Sequence, residues 1–271
     1  MPAATSSSPR PYASSSSAYA TLSFHKTDTI RLLHFPEDIT SSLHSVILSS
    51  WPPGIESNGP FGEAHEYKVK GSPFGYYRSQ QYVGGIRLVR DLLAFMYSHS
   101  WELVTPLLCS RRYTAKDTLI FRQVPIGSLP PVEWLALAPS GSDKLRVIYD
   151  ADGVKLFGVD ADHDHLGSLI TAIKKMLEGL DYFEKGDWSH DSFEFDFKGK
   201  PWRSRGEASV KMRIMLMRLL ETMEGHGWRL HTAIVQRTGT DEHRMLDTWY
   251  FVREYGRARR VDVGNSLQEK D

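Results

Sequence analysis

A short run of acidic and imidazole side chains is the densest group of potential metal ligands in this chain. The segment 160–165 reads Asp-Ala-Asp-His-Asp-His, and carboxylates and imidazoles bind zinc or a harder divalent ion. Asp162, His163 and His165 are therefore the candidate ligands of a metal-dependent hydrolase. The alternative is that the aspartates begin the following helix, where they accept hydrogen bonds from unpaired backbone N–H groups. No distant fourth ligand is evident, which favours the helix start and a protein without a bound metal or cofactor.

A second group of residues combines positive charge with aromatic rings immediately before a predicted helix. Its members are Lys198, Lys200, Trp202, Arg203 and Arg205. A helix N-terminus presents free N–H groups to an anion, and an indole ring stacks on a base or a guanidinium group. The corresponding earlier segment contributes Phe74, Tyr76 and Tyr77. We expect these residues to bind a ligand or a partner; the alternative is that Phe74 and Trp202 point inward and anchor the core.

Two histidines recur in the same setting, but nothing beside them indicates catalysis. His99 and His226 are each followed two residues later by a tryptophan. A catalytic base needs a nucleophile and an orienting partner within reach, whereas a histidine in the last turn of a helix also interacts favourably with the helix dipole. The chain contains no dinucleotide-binding, P-loop, nucleophile-elbow or zinc-protease motif. We therefore predict no catalytic residues and favour a protein that is not an enzyme.

Composition narrows the classes of partner and compartment. The 271 residues contain 33 basic and 33 acidic side chains, so the chain as a whole has no attraction for nucleic acid, and any such binding would need a local patch. The single cysteine excludes an intramolecular disulfide and suits a reducing compartment. No apolar stretch reaches the ~20 residues that span a bilayer. The sequence therefore predicts a cytoplasmic or nuclear protein with no membrane span.

The positions of these candidates follow from an internal repeat. Gly71-Ser72-Pro73-Phe74 recurs as Gly199-Lys200-Pro201-Trp202, and the segment 99–103 recurs as 226–230. Further landmarks recur in the same order, with Asp-Thr at 117–118 and again at 247–248. This pattern indicates tandem duplication of a unit of roughly 110 residues.

Each unit shows the same succession of elements. Alternating apolar positions predict strands, and apolar residues at three-and-four spacing predict helices over 39–49, 81–98, 166–180 and 206–224. The order is ββαβαββ, an α+β fold of mostly antiparallel sheets with the helices packed on one face. In the second unit, Asp152-Gly153 also predicts a hairpin that continues through residues 154–159.

The predicted boundaries divide the chain into five parts. Residues 1–20 form a disordered Ser/Ala/Pro-rich tail open to phosphorylation, and residues 255–271 form a polar C-terminal tail. Between them lie unit 1 (21–123), a Pro-rich linker (124–133) and unit 2 (134–254).

The last helix carries half of the methionines of the chain. Met212, Met215, Met217 and Met223 alternate there with aliphatic residues. Methionine adapts to irregular surfaces, and a helix that is apolar over most of its circumference is buried on two sides. We therefore expect this helix to pack between the two units or between two chains, which leaves a homodimer open.

The duplication, the balanced charge and the missing catalytic motifs favour a non-catalytic adaptor that binds a protein partner. Two alternatives remain at this point. One is a protein that binds a phosphate ligand or nucleic acid through the loop 198–206, with nucleic acid not favoured. The other is the metal-dependent hydrolase centred on residues 160–165.

Overall fold

A computed structural model describes residues 19–75, 81–112, 114–149, 163–189, 192–237 and 246–254. Most of the predicted N-terminal tail, the C-terminal tail from residue 255 and the hairpin predicted at residues 152–159 lie outside this part of the chain.

The described residues of unit 1 form six strands and two helices. They are β1 (Tyr19–His25), β2 (Thr29–Leu33), α1 (Glu37–Ser50), β3 (Ile55–Phe61), β4 (Ala64–Val69), α2 (Gln81–Ser98), β5 (Trp101–Leu107) and β6 (Thr118–Gln123). Its strands form sheet 1 in the order β3-β4-β2-β1-β6-β5, and every neighbouring pair is antiparallel.

Unit 2 repeats this succession. Its elements are β7 (Val132–Ser140), β8 (Lys144–Ile148), α3 (His163–Gly179), β9 (Phe183–Ser189), β10 (Ser192–Phe197), α4 (Glu207–Gly225), β11 (Arg229–Ile234) and β12 (Thr248–Glu254). Sheet 2 has the order β11-β12-β7-β8-β10-β9, which is the order of sheet 1 when equivalent strands are matched. The predicted α+β duplication is thus confirmed.

The described residues of each unit form one strand that the sequence analysis did not predict, so the observed order is ββαββαββ. The added strands, β3 and β9, lie at sheet edges, where each pairs with a single neighbour. An edge strand with both faces near solvent needs no alternating apolar residues, and β3 even contains Gly59 and Pro60. Their polar composition therefore hides them from a search for apolar alternation.

The two units pack as successive layers of sheet and helix. In sheet 1 one face lies under α1 and α2, while in sheet 2 one face lies under α3 and α4. Strand β7 shows how sheet 2 is covered on both faces: Leu135 and Leu137 pack toward α3 and α4, whereas the intervening Trp134, Ala136 and Ala138 pack toward α2. Helix α2 therefore lies between the two sheets.

Hydrogen bonds join α2 to sheet 2 across this boundary. The hydroxyl of Tyr82 donates to Pro139 O (3.1 Å), and the hydroxyl of Tyr250 donates to Ile86 O (3.4 Å). Tyr250 also donates to Gln236 Oε1, and Gln236 Nε2 donates to Gly85 O (3.4 Å). These bonds satisfy polar groups in an apolar boundary, where an unpaired group would be costly.

The helix between the units is thus α2 and not the methionine-rich α4, so the first of the two alternatives predicted for α4 is wrong, while packing between two chains stays a prediction. Only Met215, Leu219 and Met223 of α4 are buried. In α2, by contrast, two thirds of the residues are buried, including Ile86, Leu93 and the charged Arg90. Helix α4 lies on the outside of sheet 2, where only one of its faces meets the protein.

Gly85 marks the closest approach of α2 to the chain that precedes it. A Cβ at this position would lie 2.2 Å from Pro73 O, a backbone atom of the repeated Gly-x-Pro turn. We expect Gly85→Ala to reduce the free energy of unfolding by roughly 1–3 kcal/mol, because the backbone must shift to relieve the clash. Urea unfolding of the full chain measures this change.

The matched control is Gly167→Ala in α3, where an added Cβ would meet nothing within 4 Å. That variant should be neutral or more stable, since alanine is the better helix former by about 1 kcal/mol. Equal stability of the two variants would contradict the close packing of α2.

Candidate functional site

The outer face of α4 is an exposed apolar surface on a well-packed helix. Four side chains project from it at spacings of three and four residues: Val210 (56% exposed), Ile214 (40%), Met217 (56%) and Leu220 (37%). The opposite face is fixed by Met215, Leu219 and Met223, which are buried against sheet 2 and α3. Burial of that inner face sets the orientation of the helix and so presents the four outer side chains together.

The internal repeat shows what an equivalent helix face does when it is covered. Counting back from the shared His-x-Trp sequence aligns Leu88, Leu92 and Met96 of α2 with Met215, Leu219 and Met223 of α4, and all six are buried. The same alignment matches the exposed Met217 and Leu220 of α4 to Arg90 and Leu93 of α2. In α2 these two positions are buried at the boundary with sheet 2. The described residues provide no such cover for α4.

Charged residues lie on the same outer face and are unevenly distributed along it. Arg213 precedes Met217, whereas Glu221 and Glu224 follow it, and all three are exposed. Arg213 Nη1 donates to the carbonyl of Ser209 (2.9 Å), and the Arg218–Glu221 ion pair measures 2.8 Å. Both contacts are open to solvent, so each contributes little to stability and leaves the charge available to a partner.

The basic loop that leads into α4 is only partly available for binding. Lys198 pairs with Asp181 at 2.5 Å, and the indole N–H of Trp202 donates to Lys144 O at 2.8 Å. The Trp202 ring packs against Phe197 and Trp249, with ring centroids 5.5 and 6.2 Å away. Lys200, Arg203 and Arg205 are exposed. Trp202 is therefore an anchor at the edge of the core, which matches the alternative interpretation for this residue.

The aromatic residues predicted at the equivalent turn of unit 1 do not form a surface in the described part of the chain. Phe74 is fully buried and packs on Phe24 at a centroid distance of 4.8 Å. Its side chain has no exposed atoms for a ligand, so the prediction of a binding role is corrected to a core role. Tyr76 and Tyr77 lie outside the described residues.

The candidate metal ligands are not brought together by the described structure. Asp162 lies outside the described residues, and His163 is described only as the first residue of α3. His165 lies in the first turn of that helix and is exposed. Among the described residues, no three histidine, cysteine or acidic side chains are close enough to hold a metal ion.

The recurring histidines have the structural role that the repeat predicts. His99 Nδ1 donates to Phe95 O (2.8 Å), and His226 Nδ1 donates to Thr222 O (2.9 Å). Each ring thereby adds a hydrogen bond to a carbonyl of the last helical turn, where backbone acceptors run short of intrahelical donors. The following position has a positive φ in both copies, 62° at Ser100 and 81° at Gly227, which turns the chain into the next strand.

Sequence reasoning missed a group of titratable residues at the boundary between the units. Burial lowers the pKa of Lys116 to about 8, although Asp28 partly opposes this, and its ammonium donates to Lys26 O at 2.5 Å. Burial also lowers the pKa of His231 to about 4, and this neutral ring packs on Tyr97 and Trp134. Asp117 joins the units through hydrogen bonds with Val235, one from its backbone N–H and one to its carboxylate. These contacts hold the boundary together.

The described residues form two α+β repeats, and helix α2 of the first repeat lies between their sheets. The outer apolar face of α4 is not covered by any of these residues. The model of one domain family, whose function is uncharacterised, matches residues 18–122 and again residues 133–252. The chain therefore belongs to this family and carries its domain twice. No curated protein is similar enough to the chain to count as a match. Within the described residues, no helix has the length and hydropathy needed to cross a membrane.

Proposed function

We propose that this protein is a non-catalytic interaction protein, an adaptor that binds a partner protein through the outer face of α4. The observation that carries the proposal is the apolar stripe of Val210, Ile214, Met217 and Leu220 on a helix whose inner face is firmly packed. Contiguous exposed apolar side chains bordered by charges are typical of protein-binding surfaces.

The side chains of this stripe suit a surface that is buried on binding. Met217 is flexible and polarisable, so it fits the irregular contour of a partner. Val210, Ile214 and Leu220 add apolar area on either side of it, and their exposed parts stabilise a complex by about 25 cal/mol per Å² when water is excluded. The neighbouring Arg213, Glu221 and Glu224 supply charges at the rim, where they select a partner more than they hold it.

The two alternative functions have less support in the described residues. The charge of Lys198 is paired and the ring of Trp202 is packed, so neither residue is free to bind a phosphate group. For the hydrolase, His165 is the one candidate ligand whose side chain is described, and it is exposed.

A photo-crosslinking experiment tests the proposal in the cells that make the protein. A photoreactive amino acid replaces Met217 in the full chain, and the matched control places it at Lys175, an exposed residue of the neighbouring α3. We expect a discrete protein adduct from position 217 that is at least about tenfold stronger than that from position 175. Mass spectrometry identifies the crosslinked protein. Equal labelling at both positions, or none at position 217, would contradict the proposal.

A further inference from the structure

We propose that the partner of α4 is a second copy of this chain, whose own α4 packs antiparallel to the first about a twofold axis at Met217. This inference rests on the proposed function, because it takes the outer face of α4 as the docking surface. The result is a closed homodimer in which the same surface is used by both copies.

The helical periodicity places Met217 at the centre of the face. At 100° per residue, Met217 points directly opposite the buried Met215 and Leu219 pair, with Val210 and Glu224 close to the same direction. Ile214 and Leu220 flank it, three residues to either side. When two such helices pack antiparallel about Met217, Ile214 of each copy lies level with Leu220 of the other, and the apolar stripe becomes a continuous seam.

Charge decides the direction of pairing. Arg213 lies about 6 Å along the helix before Met217, and Glu221 and Glu224 lie about 6 and 10 Å after it. Antiparallel pairing brings Arg213 of one copy near Glu224 of the second copy. Their positions along the helix axis differ by about 4 Å, a distance that the long arginine side chain spans. Parallel pairing would place arginine beside arginine and glutamate beside glutamate, which is unfavourable.

The covered helix α2 argues against the other obvious occupant, a sheet from a neighbouring molecule. In α2, Tyr97 packs on Trp134 and His231 of sheet 2, whereas the aligned position of α4 is Glu224, with Glu221 about one turn before it. A flat apolar sheet would bury these carboxylates without a partner, at a high cost. A helix from a second copy contacts only the apolar stripe of α4. The charged residues at the edge of that contact stay in water, where they form ion pairs.

The outer face of sheet 1 is also unsuited to receive α4 from another copy. It carries ion pairs instead of an apolar surface, with Arg31–Glu66 at 2.7 Å and Lys68–Glu56 at 2.6 Å. Contact between α4 and this face would join unlike surfaces, and such heterologous contacts continue into open arrays unless they close. The α4 pair closes after two copies.

The size of the contact sets the expected affinity. One pair of helices buries less area than the ~1,600 Å² of a standard stable interface, so we expect a dissociation constant of roughly 10 µM for the full chain. Sedimentation velocity between about 1 and 200 µM covers the corresponding monomer and dimer populations.

Three substitutions of exposed residues test the geometry. We expect Met217→Glu to weaken dimerisation by more than about 100-fold, because two carboxylates would meet on the twofold axis. Arg213→Glu and Glu224→Arg should each weaken it by roughly tenfold. An equimolar mixture of these last two variants should dimerise about as well as the original chain, because both rim contacts of the mixed dimer join an arginine to a glutamate, whereas each variant alone pairs like charges.

The control is Lys175→Glu, which makes the same charge change as Arg213→Glu on the exposed side of α3. It should leave the dissociation constant unchanged. Circular dichroism and thermal unfolding of every variant verify that the fold is retained, so a loss of dimer is attributed to the contact.

Two results would overturn the inference: a monomer across the whole concentration range, or a dimer unaffected by Met217→Glu. The crosslinking experiment separates this failure from failure of the proposed function. If position 217 crosslinks to a different protein, the second copy is excluded while the adaptor function stands. If position 217 crosslinks to this same chain and the dimer responds to the substitutions, both are supported.

Discussion

Repeat unit 1 produced on its own, as residues 18–130, is expected to aggregate or to unfold without a cooperative transition. In the intact protein, α2 buries a second face against Trp134, Ile148 and Tyr250 of sheet 2. Removal of unit 2 exposes that face together with Tyr82, Ile86 and Leu93 of α2. Exposure of several large apolar side chains at about 1.5–3 kcal/mol each is comparable to the entire stability of a domain.

Unit 2 on its own, as residues 131–271, should behave in the same way because the back of its sheet is apolar. The informative control is to produce both units together as separate chains. We expect them to associate into a species with the mass of the intact protein and a single cooperative transition, measured by light scattering and differential scanning calorimetry. A monomeric unit 1 with a sharp thermal transition would show that the units are independent domains and would contradict the shared core.

The second large effect is expected at a buried ion pair between β7 and β12. Glu133 and Arg253 face each other across these strands, with Arg253 Nη2 donating to Glu133 Oε2 at 2.6 Å, and their side chains are only 6% and 13% exposed. We expect Arg253→Ala to lower the free energy of unfolding by roughly 3–5 kcal/mol, because it leaves the carboxylate buried without its partner. Chemical denaturation followed by fluorescence provides the measurement.

Unit 1 supplies a matched control for that substitution. Arg122 and Glu102 also form a cross-strand pair at 2.6 Å, but their side chains are 49% and 37% exposed. Arg122→Ala should change the free energy of unfolding far less than Arg253→Ala, since water replaces the lost partner. A double variant, Glu133→Leu with Arg253→Met, should recover much of the stability. Similar losses for Arg122→Ala and Arg253→Ala would show that burial does not control the contribution of these pairs.

The sequence predicted the duplicated fold closely because apolar spacing and turn residues are local signals. The helix predicted over residues 81–98 has the same bounds in the structure. Strands β3 and β9 escaped because an edge strand needs no alternating apolar residues. These strands form because they pair with β4 and β10, and the pattern of their own residues does not predict a strand.

The prediction that α4 lies between the two units was wrong, and the residues of α2 and α4 show why. Methionine content drew attention to α4, yet charge is the better indicator of burial. Helix α4 contains six charged residues, among them Lys211, Arg213, Glu221 and Glu224, whereas α2 has a Gly-Gly pair and only three charged residues. The unbroken apolar run from Trp134 to Ala138 likewise indicates a strand buried on both faces.

The candidate site could be located from the sequence only in part. Sequence reasoning placed the basic loop immediately before α4, but the contacts that fix Trp202 come from Lys144 and Trp249, which are distant in the chain. The direction in which an aromatic side chain points depends on such partners. The exposed stripe on α4 emerges only from knowing that α2, and not α4, fills the space between the sheets.

Because α2 lies between the two sheets, the two copies of the domain have different structural roles and their order along the chain cannot be exchanged. In the first copy, helix α2 is buried on two sides. In the second copy, sheet 2 is covered on both faces. Swapping their order along the chain would bring the charged surface of α4 against the ion-paired back of sheet 1 and leave both apolar surfaces in water. The two copies are therefore no longer interchangeable, and we expect deletion of either copy to expose the apolar surface by which the other is stabilised.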